Sequence, residues 1–420
     1  MGQEVELLVE KPATGGRMIA RHEGEVVLVA GAIPGERVAA IVTRAGKRMA
    51  FAETVEVLDA SPDRREAGRD TACGGCLYAF INYPRQLQLK AEVIRDSFTR
   101  IGRIPIEADV SVAGSAERGY RMRARFHVHD SVPGFYREGT HELCDPRQTG
   151  QVLEAAIDAV EAAVASLAAQ GLVAGAVELS ENIAADQRAL HFDIRSGRIT
   201  PDALERAIAA AGLTGCTARA ESLHSAGDPI VSDPIAVLTG SHVAADAGLR
   251  RHPESFFQAN RFLASTLAAA VIDGVGSGSV LDLYAGVGLF SVGLAAAGRS
   301  GIIAVEGDPV AGQDLMRNAA PYYDQLRVVR SSVEAYLAGN DRPAPETLIV
   351  DPPRTGMSKE AADGIVKAAA GRIVYVSCDP PTMARDARRL LDAGYRLLSL
   401  QGFDLFPNTP HVETVSVFER

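Results

Sequence analysis

From about residue 250 onward, short apolar runs rich in β-branched residues alternate with stretches of helical spacing. The runs fall at 280–284, 301–305, 326–329, 347–350, 372–376, 395–400 and 414–418. Strands that alternate with helices bury both of their faces in a mostly parallel, doubly wound sheet with helices on either side. That order predicts an α/β fold here. It also says where to look for chemistry, because open sheets of this kind bind ligands beyond the carboxyl ends of their strands.

The chain before residue 250 reads differently. Residues 1–60 carry short β-branched runs at 5–9, 25–29, 37–42 and 52–58, separated by Gly15-Gly16, Gly31, Pro34 and Gly35. This fits a small all-β barrel of the OB type, a frequent nucleic-acid platform, and fits other small β modules equally well. A polar linker, 61–70, leads into Cys73-Gly74-Gly75-Cys76. Helical spacing follows at 85–101, then a mixed α/β region at 107–248 with helices at 151–167 and 201–211. The chain therefore divides into 1–60, 61–249 and 250–420, with no internal repeat.

A net charge of −10 argues against a broadly basic, sequence-indifferent nucleic-acid binder, so an RNA or DNA substrate requires a local basic track. Arg121, Arg123 and Arg125 alternate and would share one face of a strand; a solvated strand face explains the same alternation. No apolar stretch reaches the roughly 18 residues of a membrane span, and the acidic N-terminus lacks a signal-peptide or myristoylation pattern. Five cysteines, an odd number without an export signal, point to reduced thiols in a cytoplasmic protein rather than a disulfide framework. No obligate protein partner is evident.

Three strand ends carry the chemistry. Asp282-Leu283-Tyr284-Ala285-Gly286-Val287-Gly288 runs from a strand into a glycine turn, where bare backbone can approach a ligand. The third glycine of a dinucleotide fingerprint is absent, and Glu306 lies about 20 residues downstream, where an acid holds a ribose diol. This suits S-adenosylmethionine better than NAD. Asp351-Pro352-Pro353-Arg354 ends a second strand with a stiff, proline-bearing turn able to cradle a planar base. Cys378 ends a third, and Glu413 stands nearby in sequence-isolated fashion, with His411 placed to orient its loop. A thiol beside a positioned carboxylate suits methylation of a carbon atom: carbon 5 of uracil becomes nucleophilic once a thiolate adds to carbon 6, and a base must then remove the carbon-5 proton. Gln258, in Phe256-Phe257-Gln258-Ala259-Asn260 at an expected helix start, offers donor and acceptor groups to a cofactor or a base edge, although a capping glutamine is the commoner case.

These residues resemble the S-adenosylmethionine-dependent RNA 5-methyluridine (uracil-5) methyltransferases along essentially the whole chain. Gly31-Ala32-Ile33-Pro34-Gly35-Glu36 is similar to a TRAM domain, and Ser377-Cys378-Asp379-Pro380 and His411-Val412-Glu413 resemble the family's two signature sites. The resemblance implies a class I methyltransferase sheet preceded by a TRAM domain and a central α/β domain. It implies Cys378 as nucleophile, Glu413 as proton acceptor, and cofactor contacts at Gln258, Tyr284, Glu306 and Asp351, alongside Gly286 of the turn. It favours ribosomal RNA (23S) as substrate, with transfer RNA the alternative. Cys73, Cys76 and Cys144 resemble the ligands of the 4Fe-4S cluster found in some members, but those members have a further cysteine upstream of the pair, and here there is none. A cubane normally needs four thiolates, so the cluster is either lost or held by a non-cysteine fourth ligand. Two rival readings remain: an RNA-binding or iron–sulfur protein on an inert methyltransferase fold, and an amine-directed nucleic-acid methyltransferase suggested by the Asp351 motif alone.

Overall fold

The computed structural model describes residues 2–46, 48–240, 247–339 and 343–420. Five strands, β1 (Glu4–Pro12), β2 (Met18–His22), β3 (Glu25–Ala30), β4 (Arg37–Ala45) and β5 (Met49–Asp59), close into a barrel in the order β1-β2-β3-β5-β4. Alternation drives it: Val5, Leu7 and Val9 of β1 point inward while their neighbours face solvent. Strand β2, with one β-branched residue in Met18-Ile19-Ala20-Arg21-His22, has too little β signature to be read from sequence and is held by pairing on both sides. The linker is clipped to the barrel by a buried carboxylate. Glu36 is fully buried and accepts from Arg64 Nε and Nη2, both at 2.6 Å, and from the Ile33 amide at 2.8 Å.

Helix α1 (Tyr83–Asp96) follows and widens into a π-helical turn at Ser97–Ile101, so the helical spacing over 85–101 is two conformations in series. The next strands are β6 (Ser111–Ala113), β7 (Arg123–His129), β8 (Val132–Tyr136), β9 (Leu143–Cys144), β10 (Val173–Glu181), β11 (Arg188–Ser196), β12 (Gly215–Arg219) and β13 (Leu223–Gly227). All but β6 form a seven-stranded sheet, β13-β12-β11-β10-β7-β8-β9, whose apolar face packs under helices Glu154–Ala168 and Pro201–Ala211. A small ribbon, β14 (Val231–Pro234) and β15 (Gly248–Arg251), precedes the last region.

That last region is the expected parallel sheet: β16 (Val280–Leu283), β17 (Ile302–Glu306), β18 (Leu326–Arg330), β19 (Thr347–Val350), β20 (Arg372–Ser377), β21 (Arg396–Phe403) and β22 (Glu413–Glu419). The order is β18-β17-β16-β19-β20-β22-β21-β6, with β22 antiparallel to both of its neighbours. Each face has its own apolar layer, one including Leu267, Phe290 and Val292, the other Leu281, Val350 and Ile365. The edge is completed by β6, which reaches in from the middle of the chain and pairs parallel with β21. No helix among the described residues is long and apolar enough to cross a membrane. Phe256–Asn260 does not start a helix, as the sequence suggested. The helix begins at Ala264, after Asn260 has used its side-chain oxygen to accept from the Phe262 and Leu263 amides.

The expectation of five reduced thiols is corrected. The β8–β9 hairpin carries Cys144 against the turn of Cys73, and the two form a disulfide, with Cα atoms 6.0 Å apart. The iron–sulfur set Cys73, Cys76 and Cys144 therefore does not fit a cluster, since only Cys76 retains a thiol. Cys216 offers no substitute: it is buried on β12 and its thiol faces the Leu204 carbonyl at 3.9 Å. Among the described residues no group of three or more His, Cys, Asp or Glu could hold a metal ion. Alkylation of unreduced, denatured protein should accordingly label Cys76, Cys216 and Cys378 and leave a peptide pair linked through Cys73 and Cys144. Stoichiometric iron and sulfide in anaerobically purified protein would overturn this assignment.

Candidate active site

The strand β16 ends in a turn that inverts the backbone. Tyr284 (φ 60°), Gly286 (φ 56°) and Gly288 (φ 96°) are all left-handed. The two glycines have different reasons. A Cβ on Gly288 would lie 2.6 Å from Val292 and 2.7 Å from Leu315, so packing forbids it. A Cβ on Gly286 would meet only the Phe256 carbonyl oxygen, at 3.9 Å; it would fill a cleft. That cleft is lined by Phe256, Gln258, Tyr284, Gly286, Phe290 and Asp351. Glu306, at the end of β17, reaches it from the side: one carboxylate oxygen accepts from the Gly286 amide at 2.7 Å and the other from the Asp308 amide at 2.6 Å. Thus the sequence-predicted positions Gln258, Tyr284, Gly286, Glu306 and Asp351 come together around one turn.

Beneath the turn, Asp282 is fully buried, and neither of its carboxylate oxygens meets a hydrogen-bond partner among the described residues. Burial pushes its pKa up to about 7, with Ser291 close enough to pull the other way. A buried carboxylate with Ser291 as its near neighbour thus lies below the open glycine cradle.

The second cluster sits where β19, β20 and β22 end. Because β22 is antiparallel, the last rung pairs Ser377 with Thr414, so that Cys378 follows one side of this rung and Glu413 precedes the other. The parallel pairing of Val350 with Tyr375 brings Asp351 to the same end. Glu413 is buried, and burial raises its pKa well above the carboxylate range, with Asp351 raising it further and Arg354 opposing. Asp351 is pushed up by burial to about 7. The Cys378 thiol is pushed up to about 12, mainly by burial and then by the Glu413 charge, while Arg354 pulls it down by charge and by a hydrogen bond. Arg354 is thus the one cation shared by the thiol and the acid. The sequence motif alone gives Arg354 no role; its place directly after a Pro-Pro pair at a strand end was the available signal.

Around this cluster, His411 is driven down to about 4 by burial, Arg354, Lys90 and Arg121, so its ring is neutral at pH 7. Its amide donates to Thr409 Oγ1 at 3.3 Å and its ring meets Phe406 edge-on, centroids 6.1 Å apart. The arginine triplet is not a free basic track. Arg125 is paired with Glu178 at 2.7 Å and Asp193 at 2.8 Å, and Arg123 donates to the Ser255 carbonyl at 3.1 Å. Arg121 precedes β7 and donates to Gln151 Oε1 at 2.9 Å, with its guanidinium 5.7 Å from the Phe406 ring.

The chain matches the family model for tRNA (uracil-5-)-methyltransferase over residues 243–420 and that for the TRAM domain over residues 1–55. It is 32% identical to an uncharacterised RNA methyltransferase of Streptomyces avermitilis, over 100% of this chain and 99% of the relative. It is 31% identical to the 23S rRNA (uracil(1939)-C(5))-methyltransferase RlmD of Pseudomonas putida, over 100% of this chain and 94% of the relative. Among solved structures it shares its fold with the Pyrococcus abyssi tRNA (uracil-54, C5)-methyltransferase in complex with S-adenosyl-L-homocysteine. The TM-score is 0.75 at 24% identity, over 98% of this chain and 99% of the other. A TRAM barrel, a class I methyltransferase sheet and full-length identity above 30% to named RNA methyltransferases lead to one conclusion: this chain belongs to the RNA uracil-5 methyltransferase family.

Proposed function

We propose that this enzyme methylates carbon 5 of a specific uridine in structured 23S ribosomal RNA, with Cys378 as nucleophile and Glu413 as proton acceptor. The observation that carries the reading is that Cys378 and Glu413 flank the last β20–β22 rung, Ser377–Thr414, close enough for the Glu413 charge to act on the thiol. Ribosomal RNA is favoured because the RlmD relatives are 30–31% identical over nearly their whole length, against 24% for the tRNA enzyme. RNA of this kind places the protein in the cytoplasm. The division 1–60, 61–249 and 250–420 assigns RNA gripping to the first two parts and chemistry to the third.

The glycine cradle fits S-adenosylmethionine, which Gln258, Tyr284, Gly286, Glu306 and Asp351 would hold and which supplies an electrophilic methyl group when bound. The chain's own residues do the rest. The Cys378 thiolate adds to carbon 6 of a uracil flipped from its stack, forming a C–S bond and pushing the ring electrons onto carbon 5 and oxygen 4. Carbon 5 then takes the methyl group. The Glu413 carboxylate removes the carbon-5 proton, the carbon 5–carbon 6 double bond re-forms, and the thiolate leaves. Arg354 favours the thiolate at the start and again as leaving group. The neutral His411 ring adds no competing charge.

Cys378→Ala should abolish turnover, and Glu413→Gln should retain addition and trap a denaturation-resistant RNA–protein adduct carrying the methyl group. Residual turnover by the alanine variant would remove Cys378 from the mechanism. Because the thiol titrates near 12, its thiolate fraction rises about tenfold per pH unit through the neutral range. Alkylation of native Cys378 by iodoacetamide should therefore accelerate without a plateau between pH 7 and 9, and more slowly in absolute terms in Arg354→Gln. A plateau below pH 9 contradicts the electrostatic account. Mapping 5-methyluridine by mass spectrometry in cells with and without the protein should show one site lost from 23S RNA; a site lost only from tRNA transfers the substrate to that class.

A further inference from the structure

The segment that delivers Glu413 is not supported by its own sheet. From Asp404 to Val412 it is irregular, interrupted by Pro407 and Pro410, yet Asn408 and Thr409 are buried. It is held instead by a face of helix α1. Gln86 and Lys90 stand four residues apart on that face, and both are buried. Lys90 Nζ donates to Asp404 Oδ1 at 2.5 Å and to the Phe406 carbonyl at 3.2 Å. Gln86 makes a reciprocal amide pair with Asn408: Gln86 Oε1 accepts from the Asn408 amide at 2.9 Å, and Gln86 Nε2 donates to Asn408 Oδ1 at 3.0 Å. Arg65 Nη2 donates to the same Oδ1 at 2.9 Å, and the Tyr78 amide donates to the Asn408 carbonyl at 2.8 Å. Asn408 is itself left-handed, at φ 64°. A turn buried with four fixed tethers, three to the linker and α1 through one side chain or amide, is a built mount and not a surface loop.

We propose that Asn408, clamped by Gln86 and Arg65, is a positioning residue for Glu413, acting on the proton-removal step and not on RNA binding or thiol addition. The inference rests on the role of Glu413 given above. Cys378 follows β20, which is paired with β19 as well as with β22 and, among the described residues, has no hydrogen bond to the clamp, whereas Glu413 opens β22 directly after the clamped segment. Slackening the clamp should therefore disturb the base and leave the nucleophile in place. A misplacement of the base by a fraction of an ångström to 1 Å slows its step by about tenfold or more.

The test uses the full-length enzyme with S-adenosylmethionine and in vitro transcribed 23S fragments. Asn408→Gly keeps the left-handed backbone and both main-chain tethers but deletes Oδ1 and its two donors. Asn408→Asp keeps an acceptor for Gln86 and Arg65. The glycine variant should lose about tenfold in kcat with KM little changed, and should accumulate the covalent methylated adduct on denaturing gels. The aspartate variant should recover wild-type turnover and show no adduct. A thermal melt and the far-UV spectrum identify a variant that has merely unfolded; in that event Gln86→Met, which removes the amide pair from the other side, takes its place and should also accumulate adduct. Loss of kcat without adduct, or a rise in KM alone, overturns the proposal. If Glu413→Gln itself traps no adduct, it is the catalytic role of Glu413 that fails, and the two failures are thereby distinguished.

Discussion

The site depends on one reversal of direction. Strands β18 to β20 run parallel, so their carboxyl ends gather Glu306, Tyr284, Asp351 and Cys378 at one edge of the sheet. A further parallel strand would bring only another carboxyl end. Strand β22 enters beside β20 in the opposite sense and so offers its first residue, Glu413, to the same edge. An acid and a thiol from segments 35 residues apart in sequence (378 to 413) thereby flank one rung, Ser377–Thr414. The geometry also explains the electrostatics. Burial at this strand end raises Cys378 and Glu413 together, and Arg354 is a counterweight within reach.

Burying charge between segments is how the chain fixes these ends. Glu36–Arg64 ties barrel to linker, Lys90–Asp404 ties α1 to the segment before Glu413, and Glu181 receives Arg188 and Arg261 where the central sheet meets the region leading to the cofactor cleft. Arg251, also buried, bridges Asp233 at 2.6 Å and the Glu181 carbonyl at 2.5 Å and lies 4.0 Å from the Phe257 ring. Such pairs add little net stability over apolar contacts, but stranding one partner costs about 3–5 kcal/mol. They act as registration devices. Lys90–Asp404 and Arg261–Glu181 join elements distant in sequence, whereas Arg188–Glu181 and Arg251–Asp233 lock neighbouring strands.

The cysteines divide by environment. Cys378 ends a strand at a partly open edge beside an arginine, while burial alone pushes Cys216 up to about 12 and chiefly burial pushes Cys76 up to about 11. Cys73 and Cys144, whose spacing resembles that of cluster ligands, are joined to each other. Spacing in sequence set the three cysteines apart from the rest. It carried no information on whether the missing fourth ligand would leave a site or a crosslink, because that depends on how the β8–β9 hairpin folds against the Cys73 turn.

Sequence alone determined the elements whose signal is local: the alternating βα order, the glycine turn with Asp282 and Glu306 at their offsets, and the strand-end motifs holding Asp351 and Cys378. Periodicity and turn chemistry act over a few residues, so they are legible without a fold. The resemblance added Tyr284 as a cofactor contact. Tertiary structure decided the remainder. Strand β2 exists through pairing with β1 and β3 and edge strand β6 through pairing with the distant β21, and Arg123 and Arg125 face carboxylates on β10 and β11 that no local pattern reveals. Gln86, Lys90 and Asn408 read as ordinary helix and loop residues, and only the packing of α1 against the segment from Asp404 to Val412 buries them together. Register and burial are properties of segments brought together from far apart, and those are what bring the reactive groups to one strand end.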